Sequence, residues 1–110
     1  MSYKPPKAVR EAAEEGLELR RKHKRGGLSP AEASKLGIGS GVSRAASLMH
    51  GNVSVKTIKR MKAYFARHRK DKRGKNFHSK NDPSAGRIAW LLWGGDAGEK
   101  WVEQVLSEED

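Results

Sequence analysis

The chain has 110 residues, 35% of them hydrophobic, and its 23 Lys and Arg against 13 Asp and Glu give a formal net charge of +10. This length allows one modest core but hardly a second, and the absence of cysteine excludes disulfides, zinc-thiolate sites and thiol nucleophiles. No stretch resembles a signal peptide or approaches the roughly 18 apolar residues of a membrane span. We therefore expect one soluble, unsecreted basic domain over residues 1–110.

The charge is divided unevenly along the chain. Residues 1–81 contain 21 basic and only six acidic side chains, whereas residues 82–110 contain two basic and seven acidic ones. A basic body of this kind favours phosphate polymers or anionic surfaces as partners.

The first third of the chain predicts two helices. Apolar and small residues at helical spacing indicate a helix over residues 7–24 that ends near Gly26-Gly27. The basic run at its end suits the negative pole of the helix dipole and needs no ligand to explain it. Ser29, Pro30 and Glu32 then form the capping pattern of a short helix that reaches about Leu36 and stops at Gly37.

A glycine-rich segment, residues 37–41, precedes the next helix. Backbone N–H groups at such a place can hold a phosphate, but a tight turn is the preferred interpretation because no strand precedes it and no Lys-Ser or Lys-Thr pair follows. The helix over residues 42–50 is expected to bury a face made of four residues: Val42, Ala45, Ala46 and Met49.

Ser54 is expected to cap a longer helix that reaches about Lys70. Its apolar and basic residues project onto different arcs. The apolar arc contains Val55, Ile58, Met61 and Phe65, and the basic arc contains Lys56, Lys59, Arg60, Arg67 and Lys70.

Residues 71–81 are rich in Lys, Arg, Gly, Asn and His, which predicts an exposed, flexible basic loop. Two helices should follow over residues 83–108. The first is apolar on nearly every side from Ile88 to Trp93, as in a buried central helix. The second is amphipathic, with residues 96–99 as its capping box. The fold class is therefore all-α: a single-domain bundle of five or six helices that can include a degenerate helix-turn-helix.

Residues that could perform chemistry are sparse. The four histidines lack partners at metal-ligand spacing, and no acid-base pair or nucleophile elbow is evident. We therefore predict no enzymatic activity, no metal and no cofactor.

The basic residues form a more informative pattern, because residues 56–80 contain eleven Lys and Arg and one acid. A solvated face is the simplest explanation of a charge run, but this excess exceeds what solubility needs and is typical of phosphate neutralisation. Tyr64 and Phe77 are candidates for stacking on bases. The predicted nucleic-acid-binding residues are Arg20, Arg21, Lys22, Lys24, Arg25, Arg44, Lys56, Lys59, Arg60, Arg67, Lys70, Lys72, Arg73 and Lys75.

Residues 28–38, with Val42-Ser43-Arg44 and His50-Gly51, resemble the helix-turn-helix of phage repressors, since Ala33 and Gly37 have the motif's spacing. Gly39-Ser40-Gly41 lengthens the turn by about one residue relative to that motif. The resemblance implies that Arg44 reaches into a DNA groove.

A wider resemblance covers most of the chain. It is carried by Tyr3-Lys4-Pro5, Arg25-Gly26-Gly27, Gly41-Val42-Ser43-Arg44-Ala45, Thr57-Ile58-Lys59-Arg60-Met61, Tyr64-Phe65-Ala66-Arg67-His68, Pro83-Ser84-Ala85-Gly86-Arg87-Ile88-Ala89-Trp90 and Leu92-Trp93-Gly94-Gly95. These segments are similar to a family of small bacteriophage proteins that occur alone or attached to proteins such as head-maturation proteases. The resemblance implies a phage origin and no particular mechanism, and residues 29–39 form an insertion relative to that family.

Two functions remain open at this point. The favoured one is a phage-encoded, non-enzymatic protein that binds nucleic acid, with DNA preferred over RNA, in the cytoplasm of the infected host. The alternative is a virion or head-assembly module whose basic face meets an acidic phage protein and whose tryptophans, Trp90, Trp93 or Trp101, contribute to a protein interface.

Overall fold

The computed structural model of the chain describes residues 2–36 and 40–108. Their helices are α1 (Lys7–His23), α2 (Pro30–Leu36), α3 (Gly41–His50), α4 (Val55–His68), α5 (Ala85–Leu92) and α6 (Gly95–Glu108). A 3-10 helix (Arg69–Arg73) follows α4, and two short strands, β1 (Ser2–Tyr3) and β2 (Val53–Ser54), pair antiparallel with Tyr3 opposite Val53. The all-α prediction, with five or six helices, is confirmed for this part of the chain.

Helix α5 is the centre of the packing. Its Ile88, Trp90 and Leu92 are completely buried, and it contacts α1, α3, α4 and α6. The helix is apolar around most of its circumference because neighbouring helices pack against most of its surface. The predicted buried central helix is confirmed, although it spans eight residues and stops at Leu92.

A glycine allows α1 to approach α5 closely. A Cβ atom added at Gly16 would lie 2.7 Å from the backbone nitrogen of Leu92 and 3.1 Å from the Cβ of Leu91. Contacts under 3.0 Å with backbone cannot be relieved by a side-chain rotation, so a larger residue at position 16 would push the two helices apart.

Serine side chains cap four of the helices. Before α2, Ser29 accepts a hydrogen bond from the Glu32 amide at 3.2 Å and the Glu32 carboxylate accepts one from the Ser29 amide at 3.0 Å, so the predicted capping box is confirmed. Ser40, Ser54 and Ser84 each accept from the backbone amide three residues later. The predicted stop at Gly37, and residues 37–39 of the glycine-rich segment, lie outside the described residues.

Two details of the helix predictions are wrong. Helix α3 buries Leu48, whereas Ala46 is exposed, because the core meets the side of α3 that includes Ala45 and Leu48. Asp96 does not cap α6, since that helix already begins at Gly95 and the Asp96 carboxylate accepts a hydrogen bond from Trp90 Nε1 at 2.9 Å.

The predicted loop over residues 71–81 is exposed along most of its length, but it contains part of a 3-10 helix and one buried residue. The 3-10 helix occupies its start, and Phe77 is 1% exposed and packs edge-on against Trp90, 6.3 Å between ring centroids. Asn76 bonds the Asp82 carboxylate through its side chain and the Ser84 amide through its carbonyl. One buried aromatic therefore fixes the segment to the core despite its polar composition.

Within residues 2–36 and 40–108, no helix combines the length and apolar character needed to cross a membrane.

Candidate nucleic-acid interface

The two faces of α4 have opposite roles, as its sequence predicts. Ile58, Met61 and Phe65 are buried, and α4 packs chiefly on α6. The opposite face, continued by the first residues of the 3-10 helix, presents Lys56, Lys59, Arg60, Arg67 and Lys70, all of them exposed. We call these five residues the basic face.

No carboxylate of the described residues neutralises the basic face. In the part of the chain that the structure describes, none of its five side chains forms an ion pair. Arg69, which is off this face, behaves differently: it bonds Glu99 and approaches Glu103 of α6, and these contacts raise the pKa of its guanidinium. The acidic residues of α6 therefore satisfy the neighbouring cation and leave the basic face available to an external anion.

Arg44 lies beside this face but does not project from α3. Its guanidinium carbon lies 5.4 Å from the centroid of the buried Trp93 ring, in a cation-π geometry. Burial, followed by the positive charge of Arg60, lowers the pKa of Arg44. The Nε atom of Arg44 is buried and has no hydrogen-bond partner among the described residues.

The Trp93 ring that contacts Arg44 belongs to a column of three stacked rings, Trp93, Tyr64 and His68. Trp93 stacks on Tyr64 with centroids 4.4 Å apart and planes 5° from parallel, and Tyr64 stacks in turn on His68 at 4.5 Å. His68 Nδ1 lies 3.1 Å from an Asp71 carboxylate oxygen. Sequence reasoning missed this column because Tyr64 and His68 belong to α4 whereas Trp93 directly follows α5, and no spacing in the chain indicates their contact.

Both candidates for base stacking are wrong. Tyr64 is 5% exposed and Phe77 is 1% exposed, so neither ring offers a face to a nucleobase. Burial is the largest cause of the raised pKa of Tyr64, with Asp71 adding to it. Trp90, Trp93 and Trp101 are 0%, 7% and 9% exposed, and the tryptophan-mediated protein interface considered above therefore has no surface ring to use.

The predicted cations in the last turn of α1 and just after it divide into two groups. Arg20 and Arg25 have structural contacts: Arg20 Nε donates to the Gly26 carbonyl and Nη2 lies 3.4 Å from Glu32, whereas Arg25 Nη1 lies 3.0 Å from Asp82 and 3.3 Å from the Pro83 carbonyl. The other three, Arg21, Lys22 and Lys24, are exposed and form no ion pair within the described residues. Among those residues α1 packs mainly on α5 and α3.

The cations of the segment after α4 divide similarly. Lys72 Nζ lies 2.8 Å from the Asp96 carboxylate and 5.0 Å from the Trp90 ring centroid, which makes it a link between the 3-10 helix and α6. Arg73 and Lys75 are exposed and can extend the basic face beyond Lys70.

The helix-turn-helix geometry is not evident. Helices α2 and α3 are not among the closely packed pairs of the described helices, whereas the two helices of that motif pack directly on each other. Arg44, which the motif would place in a groove, is half-buried against Trp93. The described residues also contain no group of three or more His, Asp or Glu side chains that could hold a metal ion.

Comparisons of the chain with protein-family models, with curated proteins and with solved structures found no match.

Proposed function

We propose that this chain is a non-enzymatic, phage-encoded protein that binds double-stranded DNA through the basic face. The observation that carries the proposal is the set of five exposed cations on one side of α4 and the adjoining 3-10 helix, none paired with a carboxylate among the described residues. The phage origin rests on the resemblance of the sequence to small phage proteins.

The dimensions of the basic face suit a duplex. At about 1.5 Å of rise per residue, the row from Lys56 to Arg67 is about 17 Å long, and B-DNA carries about ten phosphate charges over that length. A rigid helix with small side chains between its cations can lie along the backbone or in the major groove. Ala63, which is exposed in the middle of the row, offers no steric barrier to such an approach.

The salt dependence of binding tests the proposal. Five phosphate contacts would release enough counterions to weaken binding about 500-fold between 50 and 200 mM salt. Fluorescence anisotropy of a labelled duplex across this range measures how steeply the binding constant falls with salt concentration. The same titration with a single-stranded RNA of equal length shows which nucleic acid binds more tightly. Absent or salt-independent duplex binding would refute the proposal, and a clear preference for RNA would replace DNA by RNA as the partner.

A charge-reversed variant locates the binding surface. Replacing Lys59, Arg60 and Arg67 by Glu should weaken binding to all sequences and reduce the salt slope by about 2.7, since about 0.9 is expected for each lost phosphate contact. The matched control reverses Lys7, Lys35 and Lys100, three exposed lysines of α1, α2 and α6, and changes the net charge by the same amount. Equal losses in the two variants would show that net charge, and not the basic face, is responsible.

A further inference from the structure

Arg44 of α3 lies near Arg60, a cation of the basic face on α4. Arg44 of α3 lies over Trp93, Trp93 stacks on Tyr64, and Tyr64 follows Arg60 by four residues on α4. Residues four apart are neighbours on a helix surface, so the column brings the Arg44 guanidinium to the side of α4 from which Arg60 extends.

Among the described residues, no carboxylate is paired with either of these two cations. Neither Arg44 nor Arg60 takes part in any ion pair of residues 2–36 and 40–108, and the charge of Arg60 contributes to the lowered pKa of Arg44 after burial. A half-buried cation next to a second cation is unfavourable unless another group compensates for it. The Trp93 ring compensates in part, but the buried Nε–H of Arg44 has no acceptor among these residues.

We propose that Arg44 and Arg60 form a phosphate-binding site in which one phosphate group accepts hydrogen bonds from both guanidinium groups. Guanidinium groups are planar and can bond two oxygens of one phosphate, and the guanidinium of Arg44 is already placed over the Trp93 ring. The site rests on the proposed function in one respect: the phosphate is taken to be one of the nucleic-acid backbone. Free inorganic phosphate offers the same hydrogen-bond acceptors, so it serves as a second probe beside the DNA duplex.

The contact with Trp93 distinguishes Arg44 from the cations of the basic face. Lys59 and Lys70 are exposed point charges on flexible stems, whereas the Arg44 guanidinium already lies over the Trp93 ring before any ligand arrives. Substitution by lysine keeps the charge but removes the planar guanidinium that lies over Trp93, and with it the bidentate hydrogen bonds to a phosphate. Arg44→Lys should therefore reduce duplex affinity about ten-fold, as expected for the loss of one charge-assisted hydrogen bond.

The first measurement uses the wild-type protein and inorganic phosphate. Nitrogen-15 NMR follows the Arg44 Nε–H and Trp93 Nε1–H signals during titration, with sodium chloride at equal ionic strength as the control. A saturable shift of both signals with phosphate, and none with chloride, is the expected result. Unchanged signals would overturn the phosphate site, and this outcome does not depend on any variant folding correctly.

The second measurement compares duplex binding by Arg44→Lys, Arg44→Gln and Lys100→Gln, after circular dichroism has shown that each is folded. Lys100 is exposed on α6, away from the basic face, and its substitution controls for the loss of one charge. Both Arg44 variants should bind more weakly than Lys100→Gln. If Arg44→Lys binds like wild type while wild type keeps its salt dependence, the site is refuted and the proposed function stands. If phosphate shifts both signals but no duplex binds, the site stands and the proposed function is refuted.

Discussion

Replacement of Phe77 by alanine tests whether the basic segment after α4 is held by the core. The ring is 1% exposed, packs edge-on against Trp90 and has the Arg87 guanidinium 5.6 Å above it. Truncation of a buried Phe removes its transfer free energy and leaves a cavity, which costs about 3–5 kcal/mol. A chain of this length has a total free energy of unfolding of about 6–16 kcal/mol, so the loss is a large part of it.

Thermal and urea unfolding followed by circular dichroism measure this loss. The melting temperature of Phe77→Ala should fall by at least about 10 °C, since each kcal/mol shifts it by several degrees in a domain of this size. Lys80→Ala is the matched control: Lys80 is exposed in the same segment, and its substitution should change the free energy of unfolding by no more than about 0.5 kcal/mol.

A conservative variant separates the structural role of Phe77 from a role in base stacking. Phe77→Leu keeps most of the buried volume, so the fold should persist and duplex affinity should equal that of wild type. A ring that stacked on a base would contribute about 1–3 kcal/mol to binding. A stable Phe77→Ala protein, or a folded Phe77→Leu protein with weakened duplex binding, would refute the assignment of Phe77 to the core.

Two further predictions concern stability. Gly16→Ala should destabilise the fold by about 1–3 kcal/mol despite the better helix propensity of alanine, because its Cβ would lie 2.7 Å from the Leu92 backbone nitrogen. Urea unfolding of wild type and variant measures this difference in the free energy of unfolding. A stabilised variant would contradict the close packing of α1 on α5. For Asp96, burial raises the pKa, but the Lys72 and Trp90 hydrogen bonds and nearby positive charges outweigh it, so the pKa is lowered from its ordinary 3.8. Its stabilisation is therefore present above that value and lost as pH falls through the lowered pKa. Because the carboxylate is 61% exposed, Asp96→Asn should cost at most about 1 kcal/mol at pH 7 and progressively less below pH 4; a cost that is constant between pH 7 and pH 2 would contradict the ion pair.

Most of the candidate site could be predicted from the sequence, because the basic face depends on the spacing of residues within one helix. The cations of α4 repeat at helical spacing opposite Ile58 and Met61, and Ser54 caps the helix, so the exposed basic face follows from residues within one element. The same reasoning identified the capping box of α2 and the buried character of α5. In each case the residues that determine the outcome lie within a few positions of one another.

Errors arose where contacts join distant parts of the chain. A lone Phe77 in a polar segment is typical of an exposed loop, and only the packing of α5 provides the site that buries its ring. Nothing in the sequence around Arg25 and Lys72 distinguishes them from the cations of the basic face. In the folded chain, however, Arg25 pairs with Asp82 and Lys72 pairs with Asp96.

The sequence alone determined that the chain forms helices, where serine caps begin them and which side of α4 is charged, because these properties depend on neighbours a few residues apart. The tertiary structure decided which of the described cations pair with a carboxylate, which aromatic rings are buried and that Arg44 lies over Trp93. These properties depend on α3, α4 and α5 meeting, and burial and pairing across such contacts have no signature in local spacing.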